Sequence, residues 1–220
     1  MNQAVVIVAA GSGVRMGSSM PKQFLILSGK PILMHTIECF SSFNPSMKII
    51  LVLSADQIEN WKNLITQYKF EITHSIVQGG STRTLSVMNG LIEVPEDSIV
   101  GVHDGVRPFV SASLLKRCYD EAIQFGCSIP CIPVTETLRK INGATSSVAD
   151  RNAFRIIQTP QCFQAKKLKE AYSTAAGNDF TDDATVFEHA GNPIHLCDGE
   201  KTNIKITVPG DLVIGAAMVR

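Results

Sequence analysis

Five short apolar runs, rich in β-branched residues, constrain the fold of this chain more than any other feature. They show no polar alternation, which is typical of strands covered on both faces of a sheet. Segments with helix-like apolar spacing separate them, and this alternation predicts an α/β fold with a doubly wound, mostly parallel sheet. The predicted strands cover residues 4–8, 49–53, 74–77, 99–103 and 129–134. The predicted helices cover residues 32–43, 55–68, 82–93 and 113–125.

The stretch 135–157 interrupts this alternation. Its sequence, TETLRKINGATSSVADRNAFRII, alternates polar and apolar residues around Asn142-Gly143, a pair typical of tight hairpin turns. A hairpin with so few large apolar residues buries little surface alone. We therefore expect a hairpin arm that either lies on the domain surface or packs against a second subunit.

The remaining sequence completes one predicted domain. Helix-like spacing returns at 165–176 and 182–190, a short strand follows, and a last helix begins at Pro209. No linker, repeat or low-complexity stretch divides the chain, and 220 residues are enough to bury a sizeable core. We expect a single domain over residues 1–220, from which the arm at about 135–157 protrudes.

Charge and cysteine content disfavour several classes of protein. Twenty basic side chains balance twenty acidic ones, whereas a nucleic-acid-binding protein usually carries a basic excess. Six cysteines, none in a Cys-x-x-Cys pair, indicate buried thiols in a reducing compartment and no metal centre. No apolar stretch reaches the roughly 18 residues that span a bilayer, and the N-terminal residues lack the basic segment of a signal peptide. We expect a cytoplasmic protein that binds neither nucleic acid nor membrane.

The first predicted strand runs into a glycine-rich loop, AAGSGVRMG, at residues 9–17. Glycines at a strand-to-helix junction allow a sharp turn in which several backbone N–H groups point at one anion. Arg15 adds a planar fork of donors suited to phosphate, and Lys22 adds a compact positive charge. Because open α/β sheets bind ligands where their strands end, the loop is predicted to hold phosphate groups.

Neither of the two common phosphate-binding patterns fits this loop. The P-loop requires Gly-x-x-x-x-Gly-Lys-Ser/Thr, and the chain contains no such run. The dinucleotide fingerprint requires Gly-x-Gly-x-x-Gly, but Met16 occupies the place of its third glycine. The acidic residue expected about 20 residues further on, at the end of a second strand, is also missing. An NAD-dependent dehydrogenase is disfavoured on these grounds.

The sequence instead resembles the nucleotidyltransferases that join a sugar or polyol phosphate to a nucleotide. Their signature, Ala-Ala-Gly-x-Gly-x-Arg-Met followed by Pro-Lys-Gln-Tyr/Phe, is matched at residues 9–16 and 21–24. Five further stretches resemble the family of 2-C-methyl-D-erythritol 4-phosphate cytidylyltransferases of the non-mevalonate isoprenoid pathway, so that the resemblance covers essentially the whole chain. They are QGGSTRTLSV (78–87), VHDGVRPFV (102–110), DRNAFRIIQTPQCF (150–163), FTDDA (180–184) and TNIKIT (202–207).

This resemblance implies a Rossmann-like nucleotidyltransferase fold and an enzyme that uses CTP. Arg15 and Lys22 would neutralise the triphosphate and the charge that develops on the reacting phosphorus, while loop N–H groups hold phosphate oxygens. Mg²⁺ or another divalent cation, bridging the phosphates, would act as a Lewis acid. The implied loop residues are Ala9, Ala10, Gly11, Ser12 and Gly13.

The resemblance assigns QGGSTRTLSV, which includes Arg83, to the nucleoside. Gly79 and Gly80 allow close backbone approach to a flat base, and Ser86 lies on the same loop-to-helix turn. Ser81 stands where many family members carry an acidic residue, and it also suits the N-cap of the following helix.

Asp104 comes at the end of a predicted strand, where its carboxylate would face the ligand crevice. The resemblance implies that it ligates the metal or holds a ribose hydroxyl, and that Arg107 pairs with it or contacts the acceptor. His103 is expected to be a packed strand residue, because an acceptor phosphate already ionised at neutral pH needs no general base.

The acceptor phosphate would be held by residues from several segments. In relatives the hairpin arm crosses to the partner subunit, so a homodimer would complete each site in trans. Arg151 and Lys205 are the implied cations, and both are also implied in catalysis. The further implied acceptor contacts are Thr137, Thr159 and Thr181.

Two alternative functions remain open at this point. Ribitol-5-phosphate cytidylyltransferases share the arginine, the lysine and the HD…RP features, but they tend to read Ala-Gly-Gly where this chain has Ala9-Ala10-Gly11. A catalytically silent nucleotide-binding protein could keep the fold, although all the charged residues of the predicted site are present. CTP consumption with pyrophosphate release distinguishes an enzyme from a protein that CTP merely stabilises.

Overall fold

A sheet of mostly parallel strands between two layers of helices is the framework of the computed structural model, which describes residues 1–11, 20–175 and 180–219. The strands, in chain order, are β1 (Asn2–Val8), β2 (Ile26–Leu27), β3 (Lys30–Pro31), β4 (Lys48–Leu53), β5 (Ser75–Gln78), β6 (Ser98–Asp104), β7 (Cys127–Pro133), β8 (Leu138–Asn142), β9 (Thr145–Ala149), β10 (Arg155–Ile157), β11 (Gln161–Gln164) and β12 (Leu196–Asp198). The helices are α1 (Ile32–Phe43), α2 (Ile58–Tyr68), α3 (Arg83–Ile92), α4 (Ala112–Phe125), α5 (Ala165–Thr174), α6 (Asp183–His189) and α7 (Pro209–Met218).

The order of the strands reverses at β1. The strands β5, β4, β1 and β6 lie side by side and run parallel. β11 is antiparallel between β6 and β7, while β10 and β12 also pair with β7. The chain moves from β1 to β4 and β5 on one side and then crosses to β6 on the other. A crevice therefore opens beyond the C-terminal ends of β1 and β6, where Val8 pairs with Asp104.

Side chains of the central strands point alternately into two cores. Val5 and Ile7 of β1 join the core that contains α1, α2 and α4. Ala4 and Val6 join the core that contains α3, α5 and α6. All four are fully buried, and burial of apolar surface stabilises a fold by about 25 cal/mol per Å². Both faces of the sheet are covered, which explains why the strand sequences are apolar without alternation.

The predicted α/β architecture is confirmed, with shifted ends and some additions. The helix predicted at 55–68 begins as a 3₁₀ turn at Ala55–Gln57 before α2. The short strand β11 was not predicted, because glutamines stand at both of its ends. All six cysteines are free, but Cys39 and Cys131 are only partly buried. In the part of the chain that the structure describes, no helix is both long and apolar enough to cross a membrane.

The hairpin arm is shorter than the predicted stretch 135–157. Only β8 and β9 form it, while β10 returns to the main sheet beside β7. Asn142 pairs with Thr145, so the turn consists of Gly143 and Ala144 and not of Asn142-Gly143. Gly143 has a φ of +60°, and glycine at the first position of a two-residue turn suits the type II′ geometry.

Candidate active site

A cleft of about 890 Å³ opens where the strand order reverses, at the C-terminal ends of β1 and β6. Its walls come from segments far apart in the sequence, and most of the predicted site residues are among them. These are Ala9, Ala10, Gly11, Lys22, Gly80, Ser81, Arg83, Ser86, Asp104, Arg107, Thr159, Thr181 and Lys205. Their convergence agrees with one binding site for the nucleotide and the acceptor, although the role of each residue stays a prediction.

Two predicted acceptor residues lie outside the cleft of their own chain. Thr137 and Arg151 belong to the arm region and are exposed. They reach a site only if the arm of one chain meets the cleft of another, so their role stays a prediction. Three predicted loop residues, Ser12, Gly13 and Arg15, lie outside the described residues.

Asp104 is the centre of a positively charged cluster. Its Oδ2 accepts from Arg107 Nε at 2.9 Å and lies 3.0 Å from Lys205 Nζ. Burial alone would raise the pKa of Asp104, but Lys205 and Arg107 outweigh it and hold that pKa well below its usual range. The side chain is 13% exposed, so the carboxylate reaches the cleft. One carboxylate between two cations leaves a net positive charge, which attracts phosphate groups.

A hydrogen-bonded ring fixes the backbone behind Asp104. His103 Nδ1 lies 3.0 Å from Thr159 Oγ1, and His103 Nε2 lies 3.1 Å from the carbonyl oxygen of Arg107. Arg107 Nη1 donates to the carbonyl oxygen of Asn203, and Asn203 Nδ2 donates to that of Thr159. His103 is fully buried, which confirms it as a packed strand residue, and this burial lowers its pKa to about 4. Thr159 Oγ1 also accepts the N–H of Asp104.

Lys22 also lines the cleft, in a 3₁₀ turn over Lys22–Phe24. The next residue, Gln23, is buried, and its Nε2 donates to the carbonyl oxygen of Ala9 at 2.8 Å. Phe24 stacks on Trp61, with ring centroids 6.1 Å apart. The position of Lys22 relative to Ala9 is therefore set by the buried amide of Gln23 and by the aromatic contact of Phe24.

A tight loop joins β5 to α3 and carries the predicted base-binding glycines. A Cβ at Gly79 would lie 2.7 Å from the Cβ of Ala10, and one at Gly80 would lie 2.4 Å from that of Leu85. Real Cβ atoms do not approach so closely, so both positions require glycine for the chain segments to meet. Ser86 Oγ accepts the N–H of Gly80 at 3.1 Å and thus stabilises this loop.

Thr82, and not Ser81, caps α3. The N–H of Leu85 donates to Thr82 Oγ1 at 3.1 Å, and Thr82 has the extended backbone typical of an N-cap. The prediction of Ser81 as the cap was therefore wrong by one residue. Ser81 is exposed on the wall of the cleft, where its hydroxyl is accessible to a ligand.

Arg83 forms a bidentate ion pair with Asp183 at the start of α6. The two guanidinium nitrogens lie 3.1 and 2.5 Å from the two carboxylate oxygens, and the hydroxyl of Tyr172 donates to Asp183 at 2.6 Å. The side chain of Asp183 is fully buried, while that of Arg83 is 25% exposed and lines the cleft. The pair links the start of α3 to the segment that contains Thr181.

The described residues do not form a metal cage of their own. Among them, no group of three or more His, Cys, Asp or Glu side chains converges. Asp104 and Asp182 line the cleft, but Asp182 is occupied as the N-cap of α6 and as acceptor of Gln161. Mg²⁺ in nucleotide enzymes is commonly held by one or two carboxylates and the substrate phosphates. Asp104 can supply one carboxylate to a cation that arrives with the triphosphate. Its Oδ2 is already held by Arg107 and Lys205, so such a cation would bind the other oxygen, Oδ1.

Sequence reasoning missed several buried polar residues that support the site. Each lies inside or beside a motif already noted, yet bonds to a group distant in the chain. The spacing of neighbouring residues does not reveal such distant partners. The available signal for these residues was a polar side chain next to the end of a predicted buried strand. The missed residues are Gln23, Gln158, Gln161, Asp183 and Asn203, all of them buried.

Comparisons with known proteins agree with this architecture. The model of the family described as 2-C-methyl-D-erythritol 4-phosphate cytidylyltransferase (IspD) matches residues 3–220. The protein of that name from Bacteroides thetaiotaomicron is 48% identical over 219 residues and covers 100% of both chains. That from Geobacillus kaustophilus is 35% identical and covers 100% of this chain and 97% of its own. The crystal structure from Thermus thermophilus superposes with a TM-score of 0.83 at 32% identity, covering 100% of both chains. The chain belongs to the family of 2-C-methyl-D-erythritol 4-phosphate cytidylyltransferases.

Proposed function

We propose that this chain transfers the cytidylyl group of CTP to 2-C-methyl-D-erythritol 4-phosphate. A phosphate oxygen of the acceptor forms a bond to the α-phosphorus of CTP, and the bond to the β-phosphate breaks. The products are 4-diphosphocytidyl-2-C-methyl-D-erythritol and pyrophosphate. The proposal rests mainly on one cleft, at the strand-order reversal of a chain that belongs to this family. In it Arg107 and Lys205 pair with Asp104, and Lys22 lines the same cleft.

The residues act mainly by positioning and by neutralising charge. The acceptor phosphate is ionised at neutral pH, so no side chain is needed to remove a proton from it. Arg107 and Lys205 hold the acceptor phosphate on the β6 side of the cleft. Lys22 and the N–H groups of the loop that begins at Ala10 hold the triphosphate on the β1 side. Cations placed where negative charge develops stabilise the transition state, and each is worth several kcal/mol. In-line alignment of two bound anions supplies the rest.

The nucleoside lies against the loop between β5 and α3. Gly80 and Ser81 of this loop line the cleft, so a flat cytosine can pack against the loop. The N–H groups of Gly79 and Gly80 already donate to Leu53 and Ser86, which holds the loop in place for that contact. Ser81 offers a hydroxyl at the cleft wall in place of the acidic side chain of many relatives. Arg83 contributes by holding the start of α3 in place through Asp183.

Asp104 would hold a divalent cation, Mg²⁺ in the simplest case, together with the triphosphate. The cation would supply Lewis-acid chemistry that makes the α-phosphorus more electrophilic. Arg107 and Lys205 keep Asp104 ionised over the whole physiological pH range, as its depressed pKa indicates.

The active form is a homodimer in which each arm completes the site of the partner. Ile141 and Val148 share one face of the arm, and each is 70% exposed, which is costly unless another surface covers them. The arm then brings Thr137 and Arg151 to the acceptor phosphate. Residues 1–220 act as one domain, and the six free cysteines fit a reducing compartment such as the cytoplasm.

The test is pyrophosphate release with CTP and Mg²⁺, comparing methylerythritol 4-phosphate with ribitol 5-phosphate. We expect release that depends on methylerythritol 4-phosphate and that falls at least about 100-fold in Lys22→Ala. Lys62→Ala, an exposed lysine on α2, serves as the matched control and should behave as wild type. Release with ribitol 5-phosphate alone would assign the chain to the other acceptor. Binding of CTP without release in either case would show a nucleotide-binding protein with no turnover.

A further inference from the structure

The ring of hydrogen bonds behind Asp104 joins three segments that are distant in the sequence. Its four members are His103, Thr159, Asn203 and Arg107, and each bonds to the next at 2.8 to 3.1 Å. The three segments are the end of β6, the residue before Pro160, and the stretch that leads to Lys205. They also carry the carboxylate and both cations of the Asp104 cluster. The ring therefore sets the relative positions of the charges that face the cleft.

Donor and acceptor requirements fix the direction of every bond at His103. The carbonyl oxygen of Arg107 can only accept, so His103 Nε2 carries the hydrogen and donates to it. Burial keeps His103 neutral, and a neutral imidazole carries a single N–H, so Nδ1 accepts. The hydroxyl of Thr159 therefore donates to Nδ1 while its oxygen accepts the N–H of Asp104. His103 thus connects the backbone of Asp104, through Thr159, to the backbone of Arg107.

We propose that His103 is a positioning residue for the transfer reaction: through Thr159 and the Arg107 carbonyl it holds Arg107 and Asp104 in the orientation that binds the acceptor phosphate. Nothing in this role requires His103 to touch a substrate or to exchange a proton. The proposal also reassigns Thr159, whose hydroxyl is engaged inside the protein and acts on Asp104 instead of contacting the acceptor. It rests on the proposed function, because that function places the acceptor beside Arg107 and Lys205.

The competing explanation is that the ring serves stability alone. His103 packs edge-on against Phe40, with ring centroids 4.9 Å apart, so His103→Phe keeps an aromatic ring at this contact while removing both hydrogen bonds. Two further variants separate these bonds. The amide of His103→Asn lies near the place of Nδ1 and can accept from Thr159. The amide of His103→Gln reaches further and can donate to the carbonyl oxygen of Arg107.

The experiment measures kcat and KM for both substrates, CTP affinity by calorimetry without acceptor, and unfolding in urea. We expect His103→Phe to lower kcat/KM for the acceptor by about 10- to 100-fold, because a displacement of about 1 Å in a positioning group has that effect. CTP affinity measured without a divalent cation should change less than about threefold, because Lys22 and the loop before α3 lie outside the ring. His103→Asn and His103→Gln should each recover part of the loss. Ser98→Ala, which removes a buried hydroxyl at the opposite end of β6, is the matched control and should match wild type.

A double-mutant cycle and a spectrum decide the matter. If His103 acts through Thr159, then Thr159→Val lowers kcat/KM, and adding it to His103→Phe causes little further loss. Fully additive losses, or a His103→Phe variant with wild-type kcat/KM and reduced stability, would overturn the proposal.

Nitrogen NMR of the ligand-free protein should show His103 protonated at Nε2 and bare at Nδ1, with the Nδ1 signal shifted in Thr159→Val. A hydrogen on Nδ1 instead of Nε2 would refute the ring, even if the wild-type protein is active. If the wild-type protein shows the expected tautomer but no turnover, the proposed function is wrong and the ring stands.

Discussion

Two carboxylates, Asp104 and Asp183, lie at the same cleft in opposite electrostatic situations. Asp104 has two cationic partners and is partly open to the cleft. Asp183 has one cationic partner, Arg83, and a tyrosine hydroxyl, and its side chain is fully closed off from solvent. The first cluster carries surplus positive charge, while the second is neutral. Surplus positive charge that is open to the cleft is suited to binding an anion. A neutral ion pair that is closed off from solvent is suited to stabilising the fold.

The largest expected effect is on activity, at the open cluster formed by Asp104, Arg107 and Lys205. Lys205→Ala removes one of its two cations, and we expect kcat/KM for the acceptor to fall by about 100- to 1,000-fold because a charged donor at a developing phosphate charge is lost. The side chain is 37% exposed, so the free energy of unfolding should change by less than about 1 kcal/mol. Steady-state kinetics and urea unfolding measure the two effects. Lys201→Ala, four residues earlier and exposed, should leave both unchanged.

The closed pair of Arg83 and Asp183 should show the reverse pattern, with its main effect on stability. Asp183→Ala leaves Arg83 and Tyr172 without their partner, and we expect a loss of about 3 kcal/mol in the free energy of unfolding, as for other broken buried pairs. Urea unfolding measures it. Asp120→Ala, which breaks the exposed pair with Lys116, should cost about 0.5 kcal/mol or less. Equal losses in the two variants would show that burial does not distinguish these pairs.

Lowering the pH should reduce the free energy of unfolding of wild type more than that of Asp104→Asn. The cations lower the pKa of Asp104 in the folded protein, so its ionisation stabilises the fold above the unfolded pKa of about 4, and this contribution is lost as the pH falls toward the folded value. We therefore expect the stability advantage of wild type over Asp104→Asn to shrink by about 1 to 2 kcal/mol below pH 4. Urea unfolding of both proteins at several pH values measures it. A constant difference would contradict the electrostatic assignment.

The smallest effect concerns the start of α3, from which Arg83 reaches Asp183. Thr82→Ala removes the N-cap, and we expect a loss of about 1 kcal/mol in the free energy of unfolding. Ser81→Ala, one residue earlier, should change it by about 0.3 kcal/mol or less, since that hydroxyl does not cap the helix. Thermal or urea unfolding of the matched pair decides between the two positions. A larger loss in Ser81→Ala would mean that the helix begins one residue earlier.

The sequence predicted the framework better than the supporting bonds. Apolar runs and helical spacing are local signals, so the central strands and α1 were predicted correctly. The bond between Arg83 and Asp183 joins residues 100 positions apart, and no local pattern encodes it. Errors of a single residue occurred where two neighbours suit the same role, as with Ser81 and Thr82, or with the turn at Gly143. In each case the choice depends on backbone angles that only the folded chain sets.

The contact of Phe24 with Trp61 gives this protein an intrinsic optical probe. Trp61 is the single tryptophan of the chain, is fully buried, and donates its indole N–H to His74 at 3.0 Å. Its indole stacks on the 3₁₀ turn that carries Lys22, so a ligand that shifts this turn changes the surroundings of the fluorophore. We therefore expect Trp61 emission to change when a triphosphate binds and shifts this turn, which stopped-flow mixing can follow without any label.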